Sequence, residues 1–187
     1  MRVLEMVRRH PGRSAVAGVL AVGLFVFGML WFTPWRLFTD TTVNEGLPGA
    51  APTAMVDETA DPASDMAMEP MTVAGPVTLA DGEFVSLEHE SMGRALVVET
   101  PNGRRFLRFE DFETSNGPDL LVYLSTKDAN PDDWHGYDGD FVDLGPLRGN
   151  VGDQNYRLPD DVDLEKYSTA VVWCRRFEVG FAAADLA

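Results

Sequence analysis

Residues 94–125 read "RALVVETPNGRRFLRFEDFETSNGPDLLVYLS", three apolar runs separated by two turn signals. The runs RALVVET, RFLRF and DLLVYLS are short and rich in branched and aromatic side chains, which favours β-strands. Between them, TPNG and SNGPD supply the Gly, Asn and Pro residues that tight chain reversals need. Because such turns bring short strands back to pair with their neighbours, the stretch predicts an antiparallel sheet.

The same pattern continues over residues 76–187. Further runs of this kind are EFVSL, DFVDL, QNYRL, TAVVWC and FEVGFAAADL, and Gly, Asn, Asp and Pro again stand between them. About eight strands at this spacing, with no long helical period, predict an all-β domain, an antiparallel β-sandwich or a barrel-like domain. One short helical turn is expected at DLEKY, residues 163–167. A domain of this length buries enough apolar surface to fold without a disulfide, as its single cysteine requires.

A long uncharged segment precedes this domain. Residues 14–35 read "SAVAGVLAVGLFVFGMLWFTPW", and a helix of that length rises about 33 Å, the thickness of a hydrocarbon core. The segment predicts a transmembrane signal anchor over 14–36, with cleavage as a signal peptide within the later PGAAPTA as the alternative. The positive-inside bias of the arginines in residues 1–13 predicts a cytoplasmic amino terminus and an extracytoplasmic carboxyl-terminal domain at the cell membrane.

Residues 37–75 carry seven acidic and no basic residues, within a chain of net charge −15. Pro, Ala, Thr, Asp and Glu dominate this segment, and no helical or alternating period persists. Such a composition buries too little apolar surface to offset the entropy of ordering, so it predicts an acidic disordered linker. An acidic exterior also repels phosphate backbones, which excludes nucleic acid as a partner.

The only cysteine, Cys174, lies in "VVWCRRFEVGF", residues 171–181. In an unbroken strand, the face that carries Trp173 is the more apolar and is predicted to face the core. Cys174 is then expected on the opposite, more polar face with Arg176, next in sequence to Arg175. Guanidinium groups nearby would favour the reactive thiolate. A bulge or a hairpin at CRR would reverse this assignment and bury the sulfur, and an inert buried cysteine is the alternative.

Three stretches together resemble a known family. They are DGEFVSLEHESMGRALVVE, RFLRFEDFETSNGPDLLVYLS and the segment from VDLGPLRGNVGDQNY to VVWCRRFEVGFAAADL. Over about residues 81–186 the chain resembles the DM-thirteen domain, often labelled an electron-transfer domain. The resemblance implies a small extracytoplasmic β-domain with a characteristic cysteine, matching Cys174, that does redox work as a bare thiol or by holding a prosthetic group such as haem.

A haem would need axial ligands, and the domain offers Cys174, His89, His135 and Met92 as donors. His89 lies in SLEHESMG, which resembles the first histidine-bearing strand of the family, and it is the best partner candidate for Cys174. There is no Cys-x-x-Cys-His for covalent attachment. A surface or hydrogen-bonded histidine is the alternative for His89.

The loop around DDWHGYDGD suggests a second chemistry. Aspartates are dense here, and carboxylates such as Asp138, Asp140 and Asp143 could bind calcium, although their spacing does not match an EF-hand. A solvated acidic loop is the preferred interpretation.

Two functions of different class remain. The first is a membrane-anchored extracytoplasmic redox or electron-transfer module, in which Cys174 acts, Arg175 and Arg176 tune it, and a redox or cell-surface protein is the partner. The second is a non-catalytic binding module for a protein or glycan, in which the cysteine only packs. No Gly-x-Ser-x-Gly or His-Glu-x-x-His motif supports a hydrolase, so an electron-transfer or binding module is favoured over a hydrolytic enzyme.

Overall fold

The computed structural model describes residues 11–32, 39–50 and 75–187. Within these ranges there is one helix, α1, which spans Pro11–Phe32. The strands are β1 (Thr42–Asn44), β2 (Val77–Glu83), β3 (Val85–Ser86), β4 (Ser91–Glu99), β5 (Arg105–Thr114), β6 (Leu120–Ser125), β7 (Phe141–Pro146), β8 (Val151–Arg157), β9 (Thr169–Cys174) and β10 (Val179–Asp185). The chain divides into a first unit that ends at Thr39 and a β-unit over Asp40–Ala187.

The β-unit is sandwich-like and contains two sheets of five strands. The first sheet has the order β1-β8-β5-β4-β2 and the second has the order β3-β10-β9-β6-β7. All neighbours pair antiparallel except β1 and β8, which are parallel. The predicted all-β class is confirmed, and the architecture is a two-sheet sandwich with ten strands rather than about eight.

The two additional strands are β1 and β2. β2 contains Leu79–Gly82, whose Asp-Gly pair suggests a turn, yet it forms an edge strand on β4 with a register shift between Thr78 and Ala80. On the side away from β4, Asp81 N donates to Ala187 O and Ala187 N donates to Asp81 O, both at 3.1 Å, so contacts with the carboxyl-terminal end of the chain hold this pair in a strand. The expected helical turn at 163–167 is a single turn, closed by a hydrogen bond from Tyr167 N to Asp163 O (2.9 Å).

Apolar side chains pack on both faces of the second sheet. The main core lies between the sheets and includes Val97 and Phe109 from the first sheet and Val122 and Val172 from the second. A second cluster covers the outer face of the second sheet, where Trp173 packs near Tyr137 from the segment between β6 and β7. As a result, every residue of β6 and β9 is buried.

Part of the predicted linker over 37–75 is ordered on the β-unit. Residues 39–50 are described, and β1 pairs with Val151–Asp153 of β8, while residues 37–38 and 51–74 lie outside the described residues. The β-unit therefore begins at Asp40 and not at residue 76. Composition missed this segment because polar and backbone hydrogen bonds hold it, with little apolar burial.

The structure does not support the predicted transmembrane helix at the amino terminus. Within residues 11–32, 39–50 and 75–187, no helix is both long enough and apolar enough to cross a membrane. The predicted transmembrane helix over 14–36 overlaps α1, and its last four residues lie outside the described residues.

Candidate functional site

Cys174 is the last residue of β9, in the middle of the second sheet. It pairs with Leu120 of β6 on one side and with Val179 of β10 on the other. Its side chain is free, completely buried and part of the main core between the sheets. The sulfur therefore lies inside the sandwich and not on a solvent face.

The predicted division of faces is half right. Trp173 and Cys174 do point to opposite sides of the sheet, but Cys174 faces the main core and Trp173 faces the outer cluster. The polar residues that suggested an exposed face for Cys174 lie beyond the end of β9. Arg175 and Arg176 belong to the turn between β9 and β10, where they are exposed.

The Arg175–Glu178 turn directly follows Cys174 and joins β9 to β10. It is closed by a hydrogen bond from Glu178 N to Cys174 O (2.9 Å), and Glu178 adopts a left-handed backbone with φ of 56°. A non-glycine residue in that region indicates local strain that the surrounding contacts hold in place. A short turn with a strained residue therefore stands next to the buried thiol in the chain.

The electrostatics of the thiol reflect two opposing effects. Burial raises the pKa of Cys174, because a thiolate loses its hydration inside the core. Backbone hydrogen bonds from Phe177, Arg176 and Asp119 to the side chain act in the opposite direction, and burial prevails. The expected lowering of the pKa by the arginine guanidinium groups is therefore not found.

Arg175 instead forms an ion pair with Asp119 at the start of β6. Its Nε lies 3.0 Å from Oδ2, its Nη2 lies 3.3 Å from Oδ1, and its backbone N donates to Asp119 O at 3.1 Å. Sequence reasoning missed Asp119 as a neighbour of Cys174. The available signal was NGPDL, a stretch specific to the resemblance, whose single acidic residue is Asp119. This pair joins the Arg175–Glu178 turn to the neighbouring strand.

His89 does not join Cys174. Its ring packs on Phe181, with the ring centroids 3.8 Å apart, and burial lowers its pKa. Within the described part of the chain, no hydrogen bond connects His89 with Cys174, and no group of three His, Cys, Asp or Glu side chains is placed to hold a metal ion. The structure therefore does not assemble the predicted ligand pair.

The chemistry of a haem site is also not matched. A cleft of about 310 Å³ near His89 is lined by Ser86, Glu90, Ser91, Met92 and Glu113, and Cys174 is not among its residues. A haem plane needs an open apolar pocket around its axial ligand, whereas the surroundings of Cys174 are filled by core side chains. His135, the other imidazole donor, is exposed in the segment between β6 and β7.

The acidic loop does not converge on a cation either. Asp140 forms an ion pair with Lys166 Nζ (2.9 Å) and accepts a hydrogen bond from Tyr167, and these contacts lower its pKa. Asp143 accepts a hydrogen bond from Gly145 N at 2.8 Å. Asp138 is exposed. The carboxylates proposed for calcium thus have separate partners or face solvent.

Comparisons with known proteins give one match. No curated protein and no solved structure matches the chain. The sequence model of the family described as Electron transfer DM13 matches residues 83–186, from the end of β2 through β10. The matched segment covers more than half of the chain and includes Cys174, Asp119 and His89. The chain therefore belongs to the Electron transfer DM13 family.

Proposed function

We propose that the β-unit is a redox module in which Cys174 carries electrons as a bare thiol. The DM13 domain suggests a function related to electron transfer. The observation that carries our proposal is the position of the free Cys174, which ends β9 directly before the exposed Arg175–Glu178 turn and lies within the segment that matches the family. The backbone N–H of Asp119, which favours the thiolate, lies outside this turn and can stabilise the charged sulfur when the turn is open.

The chemistry that suits a bare thiol is exchange with a disulfide. The Cys174 thiolate attacks one sulfur of a partner disulfide, the new S–S bond forms as the old one breaks, and the second partner sulfur leaves as a thiolate. One thiolate of a donor dithiol then attacks the partner sulfur of the mixed disulfide, and Cys174 leaves as a thiolate. The second thiol of the donor displaces the partner sulfur and closes the donor's own disulfide, so two electrons pass from the donor dithiol to the partner disulfide in each cycle. The implied partners are an extracytoplasmic dithiol protein and an extracytoplasmic disulfide protein.

Exchange requires that the sulfur becomes accessible, since it is buried between the sheets. The Arg175–Glu178 turn is the element that can open with least disruption, because it is exposed and ends the buried strand β9. In this proposal burial of the sulfur, while the turn is closed, keeps the thiol protonated and unreactive. Opening exposes the sulfur to a partner that docks at this end of the sandwich.

The test is titration of the native chain with an aromatic disulfide reagent. Release of one equivalent of aromatic thiol under native conditions, and none from Cys174→Ser, is the expected result. Thr126 is exposed and lies outside this site. In the Thr126→Cys variant, the new thiol should release a second equivalent immediately, and its rate serves as the reference for a fully accessible thiol. Reaction of Cys174 only after addition of denaturant would refute the redox role.

A second candidate is a non-catalytic binding module for a protein or glycan. The observation that favours it is the complete burial of Cys174 together with its raised pKa, as expected of a packing residue. Under this function, Cys174→Ala keeps partner binding, and the native titration shows no reaction.

Membrane association is a further part of the proposal. The support is α1, where Val19, Leu20, Leu24 and Leu30 are among the exposed large apolar side chains; such a surface favours contact with lipid. With the amino terminus cytoplasmic, the β-unit would be extracytoplasmic. The full chain is expected to remain with membranes after carbonate extraction, and added protease should digest the β-unit only from the extracytoplasmic side. Recovery of the chain in the soluble fraction would refute this part.

A further inference from the structure

The segment Asp40–Gly46, which we call the docked segment, lies along the free edge of β8. Its strand β1 pairs in parallel with β8, in the register Thr42 to Val151. Backbone hydrogen bonds extend the pairing, from Glu45 N to Asp153 O (2.9 Å) and from Val151 N to Thr41 O (3.3 Å). The family match begins at residue 83, so the docked segment is outside the part that this chain shares with the family.

Side chains beside β8 bind both ends of the docked segment. At its start, the buried Asn150 accepts a hydrogen bond from Thr41 N (2.7 Å) and donates to Asp40 Oδ1 (2.8 Å). At its end, Glu45 forms an ion pair with Arg148 and accepts from Asn155 N (2.8 Å). These contacts are specific for an extended segment with acidic groups five residues apart.

Two glycines allow the close approach of the docked segment. A methyl group on Gly149 would overlap Thr41 O and lie 2.7 Å from Val43 Cγ2. A methyl group on Gly152 would overlap Val43 O. We call the surface formed by Arg148, Gly149, Asn150, Gly152 and Asn155 the β8 groove. Its shape and polar groups fit the docked segment in the way that an exposed sheet edge fits an added peptide strand.

We propose that the β8 groove also binds the docked segment of a second copy of this chain, so that two chains pair by strand exchange. Every contact described above is the same whether the docked segment comes from the same chain or from another. The connection allows this, since residues 51–74 join the docked segment to the rest of the β-unit and can reach roughly 80 Å when fully extended. The connection gives a chain's own docked segment an effective concentration on the order of millimolar at its β8 groove. Exchange between chains is therefore favoured where the local concentration of copies approaches that value.

The exchange can be trapped with cysteines on separate full-length chains. One chain carries Thr42→Cys and the other carries Val151→Cys, two positions that are register partners. Their mixed disulfide is expected to form about tenfold faster than that of a control pair in which Leu79→Cys, on the opposite edge of the same sheet, replaces Val151→Cys. The rate should rise with protein concentration.

A second substitution tests whether the groove itself is used. Gly149→Ala in the chain with Val151→Cys should reduce the mixed disulfide to the control rate, because the added methyl group blocks the docked segment. Gly139→Ala is the matched control, since its methyl group would meet only an ordinary contact at 3.7 Å, and it should leave the rate unchanged.

Two results would overturn the exchange. One is equal rates for the register pair and the control pair, while a single chain with both Thr42→Cys and Val151→Cys closes its own disulfide readily. The other is a fast mixed disulfide that Gly149→Ala does not slow. All chains in these experiments also carry Cys174→Ala, so the results do not depend on Cys174 and are separable from failure of the redox proposal.

Discussion

Removal of the Arg175–Asp119 ion pair should speed the reaction of Cys174 with a disulfide reagent. The Arg175 side chain is 64% exposed and that of Asp119 is 28% exposed. Exposed pairs contribute roughly 0.2–1 kcal/mol, after screening by solvent. If the reagent reaches the sulfur only when the Arg175–Glu178 turn opens, Arg175→Ala lowers the free energy of opening by that amount. The rate should then increase about 1.4- to 5-fold.

Asp119→Asn should give a larger increase than Arg175→Ala. It also breaks the ion pair, and in addition it removes a negative charge that raises the pKa of Cys174. More thiolate is therefore present in each open turn. The assay is the pseudo-first-order release of the aromatic thiol at pH 8 with excess reagent, followed by absorbance.

The control is Arg157→Ala, which deletes the exposed Arg157–Asp160 pair at the end of β8. Urea unfolding of each variant measures global stability, so that a change in rate is assigned to the turn only where the free energy of unfolding is unchanged. Equal rates for wild type, Arg175→Ala and Arg157→Ala would show that the turn does not control access to Cys174.

Four other substitutions test the remaining assignments. Burial raises the pKa of the Cys174 thiol in the folded chain, so above about pH 8.5 the unfolded chain loses this proton first and is favoured. Raising the pH from 7 to 10 should therefore lower the free energy of unfolding of wild type more than that of Cys174→Ala, as measured by urea unfolding. Burial lowers the pKa of His89 in the folded chain, so below about pH 6.5 the unfolded chain takes up this proton first and is favoured. Lowering the pH from 7 to 5 should therefore lower the melting temperature of wild type more than that of His89→Gln. Arg108→Met should lower the free energy of unfolding in urea by about 2–3 kcal/mol. This is less than the ~3–5 kcal/mol expected when a fully buried ion pair is broken, because the Arg108 side chain is 5% exposed but its two carboxylate partners are each 34% exposed. Gly82→Ala should lower the free energy of unfolding by about 1–3 kcal/mol, because the added methyl group overlaps a backbone oxygen of β10. Gly139→Ala should leave stability almost unchanged, and thermal melts of both variants measure the difference.

The strands that sequence reasoning found are those with a strong apolar run. β4, β5, β6 and β9 each coincide with a predicted run, because their side chains build the core between the sheets. β1 was missed since three residues, Thr42–Asn44, carry no apolar periodicity, and hydrogen bonds to β8 hold them. Local sequence does not encode a partner that lies about a hundred residues away.

The position of Cys174 shows why alternation failed at the site. Alternation assigns faces when one side of a strand meets water, but the outer face of β9 is covered by the segment that contains Tyr137. The apolar Trp173 was therefore equally compatible with the outer cluster and with the main core, and alternation could not distinguish the two. Family resemblance correctly identified the domain, whereas the neighbours of the thiol required the three-dimensional contact between the Arg175–Glu178 turn and Asp119.

The burial of β9 on both sides limits how this protein can change over evolution. Each of its six residues, Thr169–Cys174, has less than a tenth of its surface exposed, so no position offers a tolerant site for neutral substitution. A change of side-chain volume on one face has to be matched by a compensating change in the main core, and on the other face by a change in the covering segment. Neighbouring residues of one strand are therefore constrained by two separate sets of contacts, and Cys174 is constrained by those of the main core.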